Sequence, residues 1–274
     1  MTIQVKFWGV RGSIACPGPS TVRYGGNTPC LEVRCGQHTI IFDGGTGLRP
    51  YGDAVLKSGA ILDADLFLSH CHLDHVAGLP FFTPLFAERH SLRIWAGNLP
   101  PDLPLKQALR TMMSPPLFPI DVESFRAEIE YRDFAPGNTM QPREGIVLKS
   151  ALLNHPGGAI GYRLEFGGKV LAYITDTELP AGKIDPRQLA LAAGADLLVF
   201  DCTYTESEIA TRRGWGHSTW QDGIRFANEA NARTLCMFHH DPSHDDAAMD
   251  SIEKQAAAIR PGTIAAKEGL ALDL

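Results

Sequence analysis

An α/β fold is expected from three features of the sequence. Short apolar or alternating runs of strand length recur along the whole chain. Segments with helix caps fall between them in both halves, so each half pairs strands with helices. No repeat, low-complexity tract or linker divides the 274 residues, so a single domain, 1–274, is expected. The composition, 44% hydrophobic and 20% charged, is that of an ordinary globular protein with an ample core. No apolar run is long enough to span a membrane, and no basic-then-apolar leader follows Met1, so the cytoplasm is the expected location. Cys16, Cys30, Cys35, Cys71, Cys202 and Cys236 form no C-x-x-C pair and read as reduced thiols. A net charge of −6 supplies no global basic field and argues against long nucleic acid as a partner.

Residues 2–8 alternate polar and apolar, as a half-buried strand does. Glycine-rich turns follow at Gly9–Ser13 and Tyr24–Thr28. Strands at 30–35 and 38–43 form a hairpin across Gly36-Gln37, and the second ends at Asp43-Gly44-Gly45. On its residues alone Asp43 is a turn residue or a helix N-cap, ahead of a helix from about 47 to 58. An apolar strand at 64–69 runs into His70-Cys71-His72-Leu73-Asp74-His75, and a short helix should start near Val76. After a strand at 92–96, residues 98–125 carry Pro100, Pro101, Pro104, Pro115, Pro116 and Pro119 around an apolar patch at Met112–Ile120. That stretch is expected to be a lid-like insertion, a wall of the substrate pocket, an interface or a packed loop.

Strands resume at 128–134, 146–153, 160–166 and 169–175, the last two joined by the tight turn Gly167-Gly168. His155 lies just past one strand end and Asp176 at another. The strand 196–200 delivers Asp201, and Gly216-His217-Ser218-Thr219 precedes a helix at about 219–231, capped by Ser218 or Thr219. A strand at 234–238 ends at His239-His240, with His244 close behind. A last helix, about 244–259, is capped by Ser243 or Asp245.

The chemistry concentrates at residues 70–75, where four metal-capable side chains fall within six positions. A strand ending in a tight turn can aim its last side chains at one point, and His70 and His72, two apart, would share a face. Asp74 and His75 then lie where the chain turns, free to face a second ion. Neutral imidazole and carboxylate suit a divalent cation, zinc first, with manganese or iron as alternatives.

His-x-His-x-Asp-His after an apolar strand resembles the signature of the metallo-β-lactamase superfamily, and the resemblance runs over nearly the whole chain. It implies a four-layered αββα sandwich with two divalent metal ions. Residue by residue, it implies that one ion takes His70, His72 and His155. The other takes Asp74, His75 and one histidine of the 239–240 pair, while Asp176 bridges the two. His239 fits the family's position best, with His240 and then His244 as alternatives. Asp43 would have a supporting role, and Asp74 would serve catalysis as well as binding. Two ions about 3.5–4 Å apart can share a hydroxide and clamp the oxygens of an in-line displacement. The family also commonly dimerises, although no stretch of this sequence locates an interface.

The stretch from Asp201 through His217-Ser218-Thr219 is similar to the ribonuclease Z branch, where an acidic residue supports a histidine that assists the leaving group. Here the acid is Asp201, shorter than the Glu common in that branch. No long basic or glycine-rich arm of the kind that grips tRNA is present. The opening Phe-Trp-Gly-Val-Arg-Gly-Ser with Tyr-Gly-Gly-Asn-Thr looks instead like bacterial hydrolases near the small-substrate phosphodiesterases. The expected activity is hydrolysis of a small phosphodiester, a cyclic nucleotide among the candidates, with His217 assisting the leaving group. Lactone or ester hydrolysis, tRNA 3′ processing and a catalytically silent metal sensor are the alternatives.

Overall fold

The structure, a computed structural model, describes residues 2–180 and 183–274. Alternation in the first segment places Ile3, Val5 and Phe7 on one buried face of β1 (Ile3–Gly9). The hairpin of β2 (Cys30–Cys35) and β3 (His38–Phe42) pairs with it. Helix α1 (Leu48–Ser58) ends at Gly59, whose left-handed φ of 72° costs a glycine nothing. Then come β4 (Asp63–Phe67), the single helical turn α2 (Leu73–Val76), β5 (Ser91–Ala96), α3 (Leu105–Met112) and β6 (Glu128–Asp133). The second half holds β7 (Thr139–Met140), β8 (Val147–Leu153), β9 (Ala159–Phe166), β10 (Lys169–Ile174), α4 (Pro186–Ala192) and β11 (Leu197–Asp201). It closes with α5 (Glu206–Ile209), α6 (Trp220–Glu229), β12 (Thr234–Phe238), α7 (Asp246–Ile259), β13 (Thr263–Ala265) and β14 (Ala271–Asp273).

Two seven-stranded mixed sheets result, ordered β14-β1-β2-β3-β4-β5-β6 and β13-β12-β11-β10-β9-β8-β7. Their facing sides bury Val5, Phe7, Phe42 and Phe67 of the first against Tyr162, Leu164, Tyr173 and Phe238 of the second. Outside the first sheet, α1 and α3 cover Ile41, Leu66 and Ile94. Outside the second, α4, α6 and α7 cover Ile174, Phe200 and Leu235. Helix, sheet, sheet, helix is the four-layered sandwich expected.

Strand direction decides where the chemistry sits. β3, β4 and β5 are mutually parallel, as are β10, β11, β12 and β13. β8 runs the same way as β10, because two antiparallel pairings separate them. The carboxyl ends of β3, β4, β8, β10, β11 and β12 therefore open on one rim, where open α/β sheets place their ligands.

Several boundaries differ from expectation. β4 stops at Phe67, so His70 and His72 stand in a loop beyond it and strand alternation is not what aligns them. The helical turn after the motif starts at Leu73 and includes Asp74 and His75, three residues earlier than Val76. Part of the proline-rich stretch is α3, whose buried Leu105 and Leu109, with Met113 just beyond, extend the outer layer over the first sheet. Helix α6 is capped by Thr219 in a reciprocal box with Asp222, and α7 by Asp245, settling both open choices. Ser218 instead donates its Oγ to the Thr177 carbonyl at 2.5 Å.

Candidate metal centre

Three strand ends reach the rim by the same device. Asp43 after β3, Asp176 after β10 and His239 after β12 all have positive φ, at 60°, 56° and 62°. Left-handed backbone at a residue with a side chain costs on the order of 1–3 kcal/mol, so the surroundings must hold each one. The turn swings each side chain out of the strand's alternation and inward, which strand periodicity does not anticipate.

Two groups of donors meet there. One ligand atom each from His70, His72 and His155 lie within 4.8 Å of one another, and so do those of Asp74, His75, Asp176 and His239. Asp176 stands between the groups. Its Oδ1 is 3.9 Å from His70 Nε2, 3.8 Å from His155 Nε2 and 3.3 Å from His239 Nε2, and its Oδ2 is 3.3 Å from His75 Nε2. His240 is turned away, its Nε2 facing the Ala266 carbonyl at 2.9 Å, and His244 pairs with Glu208 at 2.9 Å. Of the three alternatives, only His239 stands among the gathered donors.

Partners behind the rings fix which nitrogen faces the centre. His155 Nδ1 donates to the Gly216 carbonyl at 3.0 Å, and His75 Nδ1 lies 2.9 Å from Asp43 Oδ2. Ser69 Oγ stands 3.0 Å from His70 Nδ1, and Thr203 Oγ1 stands 3.1 Å from His239 Nδ1. Asp43 also accepts from Ser69 N at 2.6 Å and from Tyr173 OH at 2.7 Å, so it braces both sheets and caps no helix. Such outer partners orient ligating imidazoles and raise their basicity.

The donor set fits a divalent metal on two counts. Among the described residues, His70 Nε2 and His75 Nε2 are buried without a hydrogen-bond partner, a costly arrangement unless a cation completes it. The protonation states also match. Burial pushes the pKa values of His70, His72 and His155 down, keeping the neutral form that offers a lone pair. Burial would raise those of Asp74 and Asp176, but His75 and His239 outweigh it and hold both carboxylates ionised. His75 is the exception to this match: burial would lower its pKa, but Asp176, Asp74 and Asp43 together push it up, toward a protonated ring whose proton a bound cation would have to displace.

His217 forms a third feature of the rim. Its Nδ1 is 2.8 Å from Asp201 Oδ2, and its ring stacks on His239 with centroids 4.8 Å apart. Asp201 is fully buried and accepts from Thr177 N at 3.1 Å and from Thr203 Oγ1 at 2.8 Å. With Nδ1 engaged, Nε2 is left to face the donors, and the His217 ligand atom lies within 4.8 Å of those of His155 and Asp176. Burial would lower its pKa, yet the Asp201 charge and hydrogen bond outweigh burial and push it up to about 9.

Sequence reasoning missed the loop at residues 10–13. Ser13 N donates to Asp74 Oδ2 at 2.8 Å, and a Cβ on Gly12 would lie 2.3 Å from the His239 ring. Beneath it the fully buried Arg11 donates to the carbonyls of Gly25 and His244, at 2.7 and 2.6 Å. The Gly-x-Arg-Gly-Ser run was visible, but pairings more than sixty residues apart are not local signals. Gly12→Ala should therefore displace His239 and reduce metal content by elemental analysis, while circular dichroism stays native. Full metal content in that variant would disprove the packing constraint.

Comparison with known proteins bears on the fold and the family. The chain is 22% identical to the ribonuclease Z of Haloarcula marismortui over 318 aligned residues, covering 98% of this chain and 96% of that protein. The metallo-beta-lactamase fold protein YhfI from Bacillus subtilis superposes with a TM-score of 0.73 at 18% identity, over the whole of both chains. A diphosphatase from the PhnP family superposes with a TM-score of 0.70 at 17% identity, over 100% of this chain and 98% of that one. At such identities the structural likenesses speak for the fold. A family model of the beta-lactamase superfamily domain matches residues 38–240 of the 274, and the chain belongs to that family.

Proposed function

We propose that this protein is a dinuclear metal-dependent phosphodiesterase acting on a small phosphodiester. His70, His72 and His155 would hold one ion, Asp74, His75 and His239 the other, with Asp176 shared; zinc suits these nitrogen and carboxylate donors best, then manganese or iron. Bound there, the ions would supply a water acidic enough to attack near neutral pH and positive charge to neutralise the phosphoryl oxygens. The observation that carries the reading is the Asp201–His217 pair beside both donor groups. Expulsion of an unactivated alkoxide from phosphorus needs a proton donor of this kind, whereas departure of a thiolate from a thioester does not. His217 then donates from Nε2 to the leaving oxygen, Asp201 keeps the ring charged and aimed, and Thr203 and Thr177 N hold Asp201. A cytoplasmic location accords with the six free cysteines.

The protein loaded with zinc or manganese should hydrolyse bis-p-nitrophenyl phosphate, and a chelator should abolish turnover. Turnover of a lactone or thioester with none of the diester would reject the proposal. Full-length similarity to a ribonuclease Z favours tRNA 3′ processing as the second reading. Precursor tRNA in the same assay tests it, against a net charge of −6 that offers the tRNA backbone little attraction.

A further inference from the structure

The turn that brings His217 to the rim also presents an indole to solvent. Gly214 and Gly216 have φ of 86° and 88°, and both donate their N–H groups to Glu178 Oε2, at 2.8 and 3.2 Å. Trp215 sits between them with 61% of its surface exposed. The far side of the turn is fixed as well. The Gly216 carbonyl accepts from His155 Nδ1, and a Cβ on Gly216 would lie 2.2 Å from that nitrogen. The Trp215 Cα is thus one peptide unit, about 3.8 Å, from a residue packed on a donor of the metal centre.

An indole held in water gains nothing from core packing, and the glycines on either side fix where it stands. Its neighbours suggest a ligand. Arg213 lies 3.7 Å from Glu178 with its side chain about half exposed, and the Arg212 guanidinium lies 5.0 Å from the Tyr204 ring centroid. An exposed indole one residue from the Gly216 turn on the rim, with two arginines immediately before it in the chain, is a combination suited to a nucleotide at the proposed phosphodiesterase centre.

We propose that Trp215 is the stacking platform for a nucleobase, so that the diester cleaved at this site carries a nucleoside. This rests on the phosphodiesterase reading and names the substrate class for it. The test compares kcat/KM of the metal-loaded wild type, Trp215→Ala and Trp215→Phe on two esters sharing one leaving group. These are thymidine 5′-(p-nitrophenyl phosphate) and methyl p-nitrophenyl phosphate, which lacks the base. The ratio of the two should fall about tenfold in Trp215→Ala, the ordinary worth of one base–aromatic stack, and largely recover in Trp215→Phe. Independently of turnover, thymidine 5′-monophosphate should quench the wild-type tryptophan fluorescence, and the quench should vanish in Trp215→Phe.

An unchanged ratio, or a quench that survives in Trp215→Phe, overturns the platform and leaves the phosphodiesterase reading standing. Absence of hydrolysis of either ester by the metal-loaded wild type overturns that reading, and the platform with it. Adding 2′,3′-cyclic AMP and a short RNA separates the sources of the base. A loss in Trp215→Ala confined to the RNA assigns the stack to a strand end, and a loss on the cyclic ester assigns it to a mononucleotide. Either supports the platform.

Discussion

Asp176→Asn is expected to remove most bound metal and lower kcat/KM on a phosphodiester by about a thousandfold or more. That range follows from several kcal/mol of charge stabilisation at 1.36 kcal/mol per factor of ten. The substitution isolates charge from shape. Asn fills nearly the same volume and tolerates the left-handed φ of 56° at this position, so the fold should persist. What is lost is the one carboxylate, among the described residues, lying within 4 Å of histidines in both donor groups. His70, His75, His155 and His239 would then face an amide with no net negative charge between them. Elemental analysis of the dialysed variant, beside the wild type, is the direct check. A variant that kept two ions per chain would show that Asp176 is not shared between them.

His217→Ala should leave metal content intact and lower turnover about 10²–10⁴-fold on diesters with alkoxide leaving groups, the usual span for a positioned acid. On bis-p-nitrophenyl phosphate the loss should be far smaller, because nitrophenolate departs without a proton. Asp201→Asn should follow the same pattern to a lesser degree, since the ring keeps its place and loses its charged partner. Equal losses on both substrates would assign His217 to binding or structure. Loss of metal together with turnover would make it a ligand, which its proximity to His155 and Asp176 also permits.

Much of this was legible because it is local. The run from His70 to His75 compresses four donors into one loop, and β1, the β2–β3 hairpin and the strands ending at Asp176, Asp201 and His239 carry clear apolar patterns. What escaped was either masked or distant. Helix α3 lay under a proline-rich composition, although Leu105 and Leu109 at helical spacing after Pro104 were there to be read. Helix α4 announces itself by Asp185 as N-cap and Pro186 at its first position, a start signal that is local and readable. The short edge strands β13 and β14, three residues each, exist only through their pairing. Tyr173 reaching Asp43 across the two sheets, and Ser13 reaching Asp74, depend on tertiary contacts that no window of sequence contains. The choice between His239 and His240 was decided the same way, by which ring β12 turns inward.

The left-handed residues at 43, 176 and 239 set durability against reactivity. At 176 and 239 Asn or Gly would relax the backbone, while at 43 either would also forfeit hydrogen bonds that brace the two sheets. Relaxing 176 or 239 would ease the backbone and blunt the chemistry at the rim. Aspartate at 176 and histidine at 239 are therefore where the chain gives up backbone ease to hold its reactive groups.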